Sequence, residues 1–140
     1  MSDLTTPLYA FPPALLPPLL LPMGYTYRPL SSTDYSKQHL SVLSTLTHVP
    51  DPGESAWLAQ FHQLLATPET YYPIVFIDPF GFICATGTLV LEKKFIRGLG
   101  KVGHVEDIVV RDSEQGKGFG KKLIESLTRL SEKLGAYKVS

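Results

Sequence analysis

A single cysteine among 140 residues excludes any internal disulfide, so the fold of this chain must be held by packing and hydrogen bonding alone. Charge of one sign is missing as well. Thirteen basic side chains balance thirteen acidic ones, which leaves no global field to draw in a nucleic acid or a membrane surface, and no interleaving of basic and aromatic residues marks a nucleic-acid face. An unbroken apolar run is missing too. The leucine-rich stretch from Pro7 to Met23 is interrupted by Pro7, Pro12, Pro13, Pro17, Pro18 and Pro22, and Asp3 rather than a basic cluster precedes it. Neither a membrane span nor the core of a signal peptide tolerates proline every few residues. Residues 1–23 read instead as an extended, polyproline-like arm whose leucines are available to pack on the domain or on a partner.

With 44% hydrophobic and 19% charged residues, the 140-residue chain has the composition of one soluble domain long enough to bury a core, and that domain is read over 24–140. Cys84 lies in an apolar run and reads as a small core residue, which suits a reducing, cytoplasmic compartment. Tyr25 to Arg28 alternates as a short strand that Pro29 ends. Ser32, Thr33 or Asp34 can cap a helix carrying Leu40, Leu43 and Leu46, and 47–53 is a loop by composition. A second helix starts near Glu54 or Ser55 with Trp57, Phe61, Leu64 and Leu65 on one face, leaving His62 off the stripe and without a role. Tyr71 to Asp78 and Phe82 to Leu91 are β-rich runs around Pro79-Phe80-Gly81, hence an antiparallel hairpin. Beyond it Lys93, Lys94 and Arg97 stand beside Gly98 and Gly100. They form either a solvated loop tip or an anion pocket.

The stretch from Gly103 to Lys122 organises the rest. Its first half reads as a strand, and Gly116, Gly118 and Gly120 follow in a tight loop before a helix whose Leu123, Leu127, Leu130 and Leu134 share one face, widened by Ile124 and stopped at Gly135. Unpaired N–H groups and the positive end of the helix dipole at such a turn suit a phosphate or pyrophosphate, and Lys117, Lys121 and Lys122 add positive charge. The alternative is a glycine turn that merely lets helix and strand pack. A P-loop is excluded because Gly116 to Gly120 is one residue short and Lys122 stands where a hydroxyl belongs, and the Rossmann pattern needs a wider third glycine. What does match, on Gln115-x-x-Gly118-x-Gly120, resembles the signature of the GCN5-related N-acetyltransferases.

Further runs sharpen the resemblance: Glu92 to Ile96, Gly103 to Val110, Gln115 to Lys121, Gly135 to Lys138, together with Arg28-Pro29-Leu30, Asp34 and Leu46-Thr47. They are similar to the glucosamine 6-phosphate N-acetyltransferase family in its fungal form, from about Gly24 to the last residue. The resemblance implies an α/β (α+β) fold of the GNAT type, a central mixed and mostly antiparallel sheet flanked by helices. It also implies acetyl transfer from acetyl-coenzyme A to the amine of glucosamine 6-phosphate, on the route to UDP-N-acetylglucosamine, by a homodimer with no metal. Under it, Gln115, Gly116, Lys117, Gly118, Phe119, Gly120 and Lys121 hold the pyrophosphate, and Ile108, Val109 and Val110 offer backbone to the pantetheine arm. Thr47, Lys94, Phe95, Ile96, Arg97, Glu106, Asp107, Ile108, Tyr137 and Lys138 fall at the sugar phosphate.

Chemistry agrees with that placement. Cations suit a 6-phosphate. The pair Glu106-Asp107 is either an edge-strand or turn feature or a site, and two carboxylates inside an apolar strand favour a cleft. Either could accept the amine proton, directly or through water. A strand N–H at Ile108 or Val109 could hold the charge developing on the thioester oxygen, with much of the rate coming from alignment of amine and thioester. Cys84 sits in the wrong run to act as nucleophile. The resemblance also implies an aspartate motif, a helix bearing a tyrosine for the leaving thiolate and further strands beyond Ser140, so weak or absent activity is expected of these 140 residues alone. Two alternatives remain: an acetyltransferase of a protein or another small amine, and a non-catalytic remnant that binds coenzyme A or a second chain.

Overall fold

The hairpin expected from Tyr71 onward lies at the centre of a five-stranded sheet in a computed structural model that describes residues 6–140. Asp3 and the start of the arm lie outside the described residues. In chain order the elements are β1 (Thr26–Pro29), α1 (His39–Leu43), α2 (Glu54–Leu65), β2 (Tyr71–Ile77), β3 (Ile83–Lys93), α3 (Ile96–Leu99), β4 (Lys101–Val110), α4 (Phe119–Lys133) and β5 (Ala136–Val139). Strands follow one another across the sheet in sequence order. Neighbours are antiparallel except β4 and β5, which run parallel because α4 carries the chain back across the sheet. β2 reads as a nearly unbroken apolar run because it is central and covered on both faces.

On one face Tyr72, Ile74, Phe76 and Leu89 pack beneath α4, which presents Phe119, Leu123, Leu127 and Leu130. On the other, Val75, Ile77, Ile83 and Val109 pack beneath α1 and α2, where Val42, Trp57 and Phe61 close the layer. The stripe on α4 differs from expectation at its flanks. Ile124 is exposed, whereas Ser126 and Ser131 are fully buried with no hydrogen-bond partner for either hydroxyl. The helix lies close on β4 there: a Cβ on Gly103 would stand 2.1 Å from Ser131 Oγ, so small residues are what the crossing admits.

The helix expected after Asp34 is shorter than its leucine spacing suggested. Gln38 takes a left-handed conformation (φ 71°) between a 3-10 turn at Tyr35–Lys37 and α1. Asp34 does not cap it. Its buried carboxylate accepts two hydrogen bonds from the Arg28 guanidinium, at 2.8 and 2.9 Å, and one from the Ser31 N–H at 2.8 Å. In α1, His39 Nδ1 accepts the Trp57 indole N–H at 3.0 Å, which requires the neutral ring, and burial pushes its pKa down to about 4 against the opposing pull of Asp34.

The arm is docked. Ala10 N–H donates to Leu30 O and Ser32 N–H to Leu8 O, and the buried Phe11 meets Tyr72 edge-on at 5.0 Å. Three cations of α4, Lys122, Arg129 and Lys133, donate to the arm carbonyls of Leu20, Pro18 and Leu15. Among the described residues no helix is long and apolar enough to cross a membrane.

Candidate active site

The glycine loop lines an open cleft ahead of α4. Gly116 and Gly118 have φ of 89° and 76°, which a side chain strains to adopt, and open space surrounds the Cβ each lacks. No side chain caps α4 at Gly118. The first N–H to bond within that helix region is Lys122 N–H, which reaches Gly118 O, so the preceding donors of the first turn are left for another acceptor. The loop, the end of β4 and the start of α4 enclose a cleft of about 290 Å³ lined by Ile108, Val109, Val110, Glu114, Gln115, Gly116, Gly118, Phe119 and Gly120. The Gln115 side chain is tied to the strand by Nε2 donating to Val110 O at 3.3 Å. Backbone donors, absent Cβ atoms and a narrow cleft fit a pyrophosphate.

The cations around the loop are disposed differently from the sequence reading. Lys117 does not project its ammonium into the cleft but donates it to Glu114 and, at 3.0 Å, to Tyr25 Oη. Lys122 reaches the arm at Leu20 O, and Lys121 is exposed. Glu114, only 6% exposed, also accepts Tyr25 O–H at 2.8 Å and Arg111 Nη2 at 3.1 Å, while the same Arg111 nitrogen donates to Asp78 at 2.9 Å. Burial alone would raise the Glu114 pKa, but Lys117, Tyr25 and Arg111 outweigh it and hold the carboxyl below its ordinary value. Asp78 is likewise lowered, by the N–H groups of Phe82 and Phe80 and by Arg111, against the upward push of burial. Burial pushes the Cys84 thiol up to about 12, so it is a protonated core residue rather than a nucleophile.

A bulge in β4 places the two carboxylates. Thr88 pairs with Glu106 and Thr86 with Val109, so Asp107 and Ile108 together stand opposite Gly87. Asp107 absorbs the extra residue with φ 53°. The bulge resets the alternation: Val105, Ile108 and Val110 all pack on the α4 side, whereas Val109 turns to the other core. Gly87 makes room for this, since a Cβ there would meet Ile108 Cδ1 at 2.5 Å. Glu106 and Asp107 are exposed, so they lie on an open surface rather than inside the apolar strand. β5 pairs with β4 only over Lys101 to Gly103, with Ser140 O accepting Val105 N–H as the last bond. β4 thus keeps a parallel neighbour at its start. From Glu106 onward its outer edge has no strand partner among the described residues, which leaves backbone groups free beside the cleft.

The residues expected at the sugar phosphate fall into two groups. Arg97 lies over the Tyr137 ring at 5.5 Å, and the same ring lies against Gly100, so the α3 turn and β5 come together. Arg97 and Gly98 are both left-handed and make that turn sharp. Lys94 pairs with Glu92 at 3.1 Å, and Glu92 also meets His104 Nε2 at 2.9 Å. Phe95 and Ile96 are exposed, as is Lys138, whose partner in the sheet is Val102. Arg97, Tyr137 and Lys138 gather at the Lys101 end of β4, whereas Lys94 reaches through Glu92 to His104, two residues before Glu106; the backbone span from Lys101 to Glu106 is about 17 Å at the usual strand rise. Thr47 is exposed in the loop after α1, a helix that packs against β3 and β4. Glu114, Tyr25, Arg111 and the bulge were missed. The bulge had a signal, the broken alternation of Val105, Ile108 and Val110. The buried network had only the i,i+3 spacing of Arg111, Glu114 and Lys117, since Tyr25 and Asp78 come from distant parts of the chain.

Residues 35–140 match the family model described as the Acetyltransferase (GNAT) family. The glucosamine 6-phosphate N-acetyltransferase of Candida albicans is 42% identical over 121 residues, 86% of this chain and 81% of that protein. Glucosamine 6-phosphate N-acetyltransferase 1 of Dictyostelium discoideum is 38% identical over 83% of this chain and 74% of its own length. The crystal structure of the Arabidopsis thaliana glucosamine-6-phosphate N-acetyltransferase superposes with a TM-score of 0.80 at 32% identity, covering 83% of this chain and 80% of that one. A five-stranded sheet whose fourth strand ends in a glycine cradle agrees with all three, and the chain belongs to the acetyltransferase (GNAT) family, among the glucosamine 6-phosphate N-acetyltransferases.

Proposed function

We propose that this protein transfers the acetyl group of acetyl-coenzyme A to the amine of glucosamine 6-phosphate, giving N-acetylglucosamine 6-phosphate, as a cytoplasmic homodimer. The observation that carries the proposal is the sequence of features along β4: carboxylates at a bulge, a free backbone edge, then the cradle of Gln115 to Gly120. Acetyl-coenzyme A supplies the activated thioester. The N–H groups of the loop and of the first turn of α4 hold its pyrophosphate, and the unpaired edge from Ile108 to Val110 aligns the chain that leads to the reacting carbon. An N–H at Ile108 or Val109 stabilises charge developing on the carbonyl oxygen. Glu106 or Asp107, exposed beside that edge, takes the amine proton.

The two-copy reading rests on the span along β4. Within one chain the Arg97–Tyr137 cluster joins β4 near Lys101, a backbone span of about 17 Å from Glu106 at the usual strand rise and longer than one sugar ring with its phosphate. A second copy presenting its own Arg97 turn would close that gap. The exposed Phe95, Ile96 and Leu99, 93%, 64% and 71% accessible, supply apolar surface for such a contact. The lone buried thiol supports a reducing compartment.

Thiol release from acetyl-coenzyme A, followed with glucosamine 6-phosphate as acceptor, tests the activity, and release that depends on both substrates is expected. Equal kcat/KM with unphosphorylated glucosamine, or release indifferent to any sugar, would assign the protein a different acceptor. Thermal stabilisation by coenzyme A without turnover would reduce it to a binding module.

A further inference from the structure

Beneath the cradle lies a feature that pyrophosphate binding by backbone N–H groups does not require. Glu114 lines the same cleft, is nine-tenths buried, and is the fixed point on which four other groups converge directly or through Arg111: Tyr25, Lys117, Arg111 and Asp78. A buried anion facing a site built for a polyanion opposes binding unless it is neutralised. The chain Asp78, Arg111, Glu114, Lys117 alternates in sign and sums to zero. Its last member is the lysine within the glycine loop, held between two left-handed glycines, Gly116 and Gly118. Tyr25 completes the arrangement, donating to Glu114, accepting from Lys117, and meeting Phe119 at the start of α4 edge-on at 5.3 Å.

We infer that Glu114 and Lys117 are positioning residues for the coenzyme. The ammonium of Lys117, whose side chain is 43% exposed, is the counter-ion that cancels buried Glu114, and the pair, with Tyr25, pins the Gly116–Gly118 turn so that its N–H groups face the pyrophosphate. The lysine acts through the carboxylate, not by touching phosphate. This rests on the acetyl-coenzyme A reading above. It differs from the expectation that Lys117 supplies cationic charge to the ligand, and the two make opposite predictions for a double substitution.

The experiment is a double-mutant cycle on coenzyme A affinity by calorimetry, with a thermal melt of each variant and KM for each substrate measured separately. Lys117→Met leaves buried Glu114 with only the Arg111 nitrogen that it shares with Asp78, a net negative cluster, so coenzyme A affinity is expected to fall about tenfold or more. The KM for the sugar should stay unchanged. Glu114→Gln combined with Lys117→Met removes both charges, and affinity should return to within about threefold of the parent. Tyr25→Phe, which keeps the ring against Phe119 but removes the hydroxyl, should weaken coenzyme A about threefold with no change in sugar KM. If Lys117→Met does not fold, the double variant alone decides: affinity near the parent's supports the inference. A double variant still weakened tenfold, with a shallower salt dependence than the parent, means that Lys117 contacts phosphate directly and overturns it. If the parent binds coenzyme A but Lys117→Met binds as well as the parent does, the inference fails while the enzymatic reading stands. If the parent binds no coenzyme A, both fail.

Discussion

The His39–Trp57 pair makes acid stability a sharp test of the packing described here. The indole N–H donates to His39 Nδ1 at 3.0 Å, and the ring meets Trp57 edge-on at 5.7 Å, so the folded protein holds the imidazole neutral. Burial lowers its pKa from 6.5 to about 4, with Asp34 pulling weakly the other way. Below pH 6.5 the unfolded chain therefore binds a proton that the folded chain refuses. Stability is present in full above pH 6.5 and falls with acidification until pH about 4, where the folded form also protonates and the curve flattens. The loss accumulates at about 1.4 kcal/mol per pH step and reaches about 3 kcal/mol, a large share of the margin of a small domain. Glu114 and Asp78, both lowered, lose their contribution as well, but only below their ordinary carboxylate values, so the range from pH 6.5 to 4.5 isolates the histidine. Trp57 is the only tryptophan, so urea unfolding followed by its fluorescence at a series of pH values reports the transition directly. His39→Asn, whose side-chain oxygen can accept the indole N–H, should cost about 1 kcal/mol at pH 7 and abolish the slope between pH 6.5 and 4.5. A flat profile for the parent in that window, or an unchanged slope in the variant, would refute the reasoning.

Three further outcomes follow from named contacts. Gly118→Ala puts a Cβ in a left-handed residue at the cradle, and should cost about 1 kcal/mol of stability by urea unfolding while weakening coenzyme A at least tenfold by calorimetry. Gly103→Ala drives a Cβ to 2.1 Å from Ser131 Oγ and should destabilise by about 2 kcal/mol or more, whereas Ser131→Ala, which deletes a buried hydroxyl with no partner, should be neutral or stabilise by up to about 1 kcal/mol. Arg97→Ala, at an exposed position over Tyr137, should leave the melting temperature within about 1 °C and raise the KM for glucosamine 6-phosphate well above any effect on acetyl-coenzyme A; equal effects on both would remove Arg97 from the acceptor site.

The elements whose signals are local were legible in the chain. The glycine spacing and the leucine stripe after it announce a cradle and a helix because φ preference and helical period are properties of a few adjacent residues. The hairpin of β2 and β3 and the start of α2 at Glu54 are local in the same sense. The helix expected after Asp34 fell short because that carboxylate is engaged by Arg28, six residues earlier, and the chain turns left-handed at Gln38 before α1 can form. The proline breaks showed that residues 7–23 are not a span. They could not show that its carbonyls meet Lys122, Arg129 and Lys133 more than a hundred residues later.

By itself, then, the sequence determined the order of elements, the site's glycine backbone and the residue types along β4, since each depends on spacing within one segment. Only the tertiary structure decided where the charges go. It buried Glu114 beneath the loop where Lys117, Arg111 and Tyr25 meet it, inserted a bulge that puts Asp107 and Ile108 opposite one glycine, and set the Arg97–Tyr137 cluster at the far end of the same strand. The links from Arg111 to Asp78 and from Tyr25 to Glu114, like the register, are fixed by pairings between distant segments, where no period in the sequence reaches.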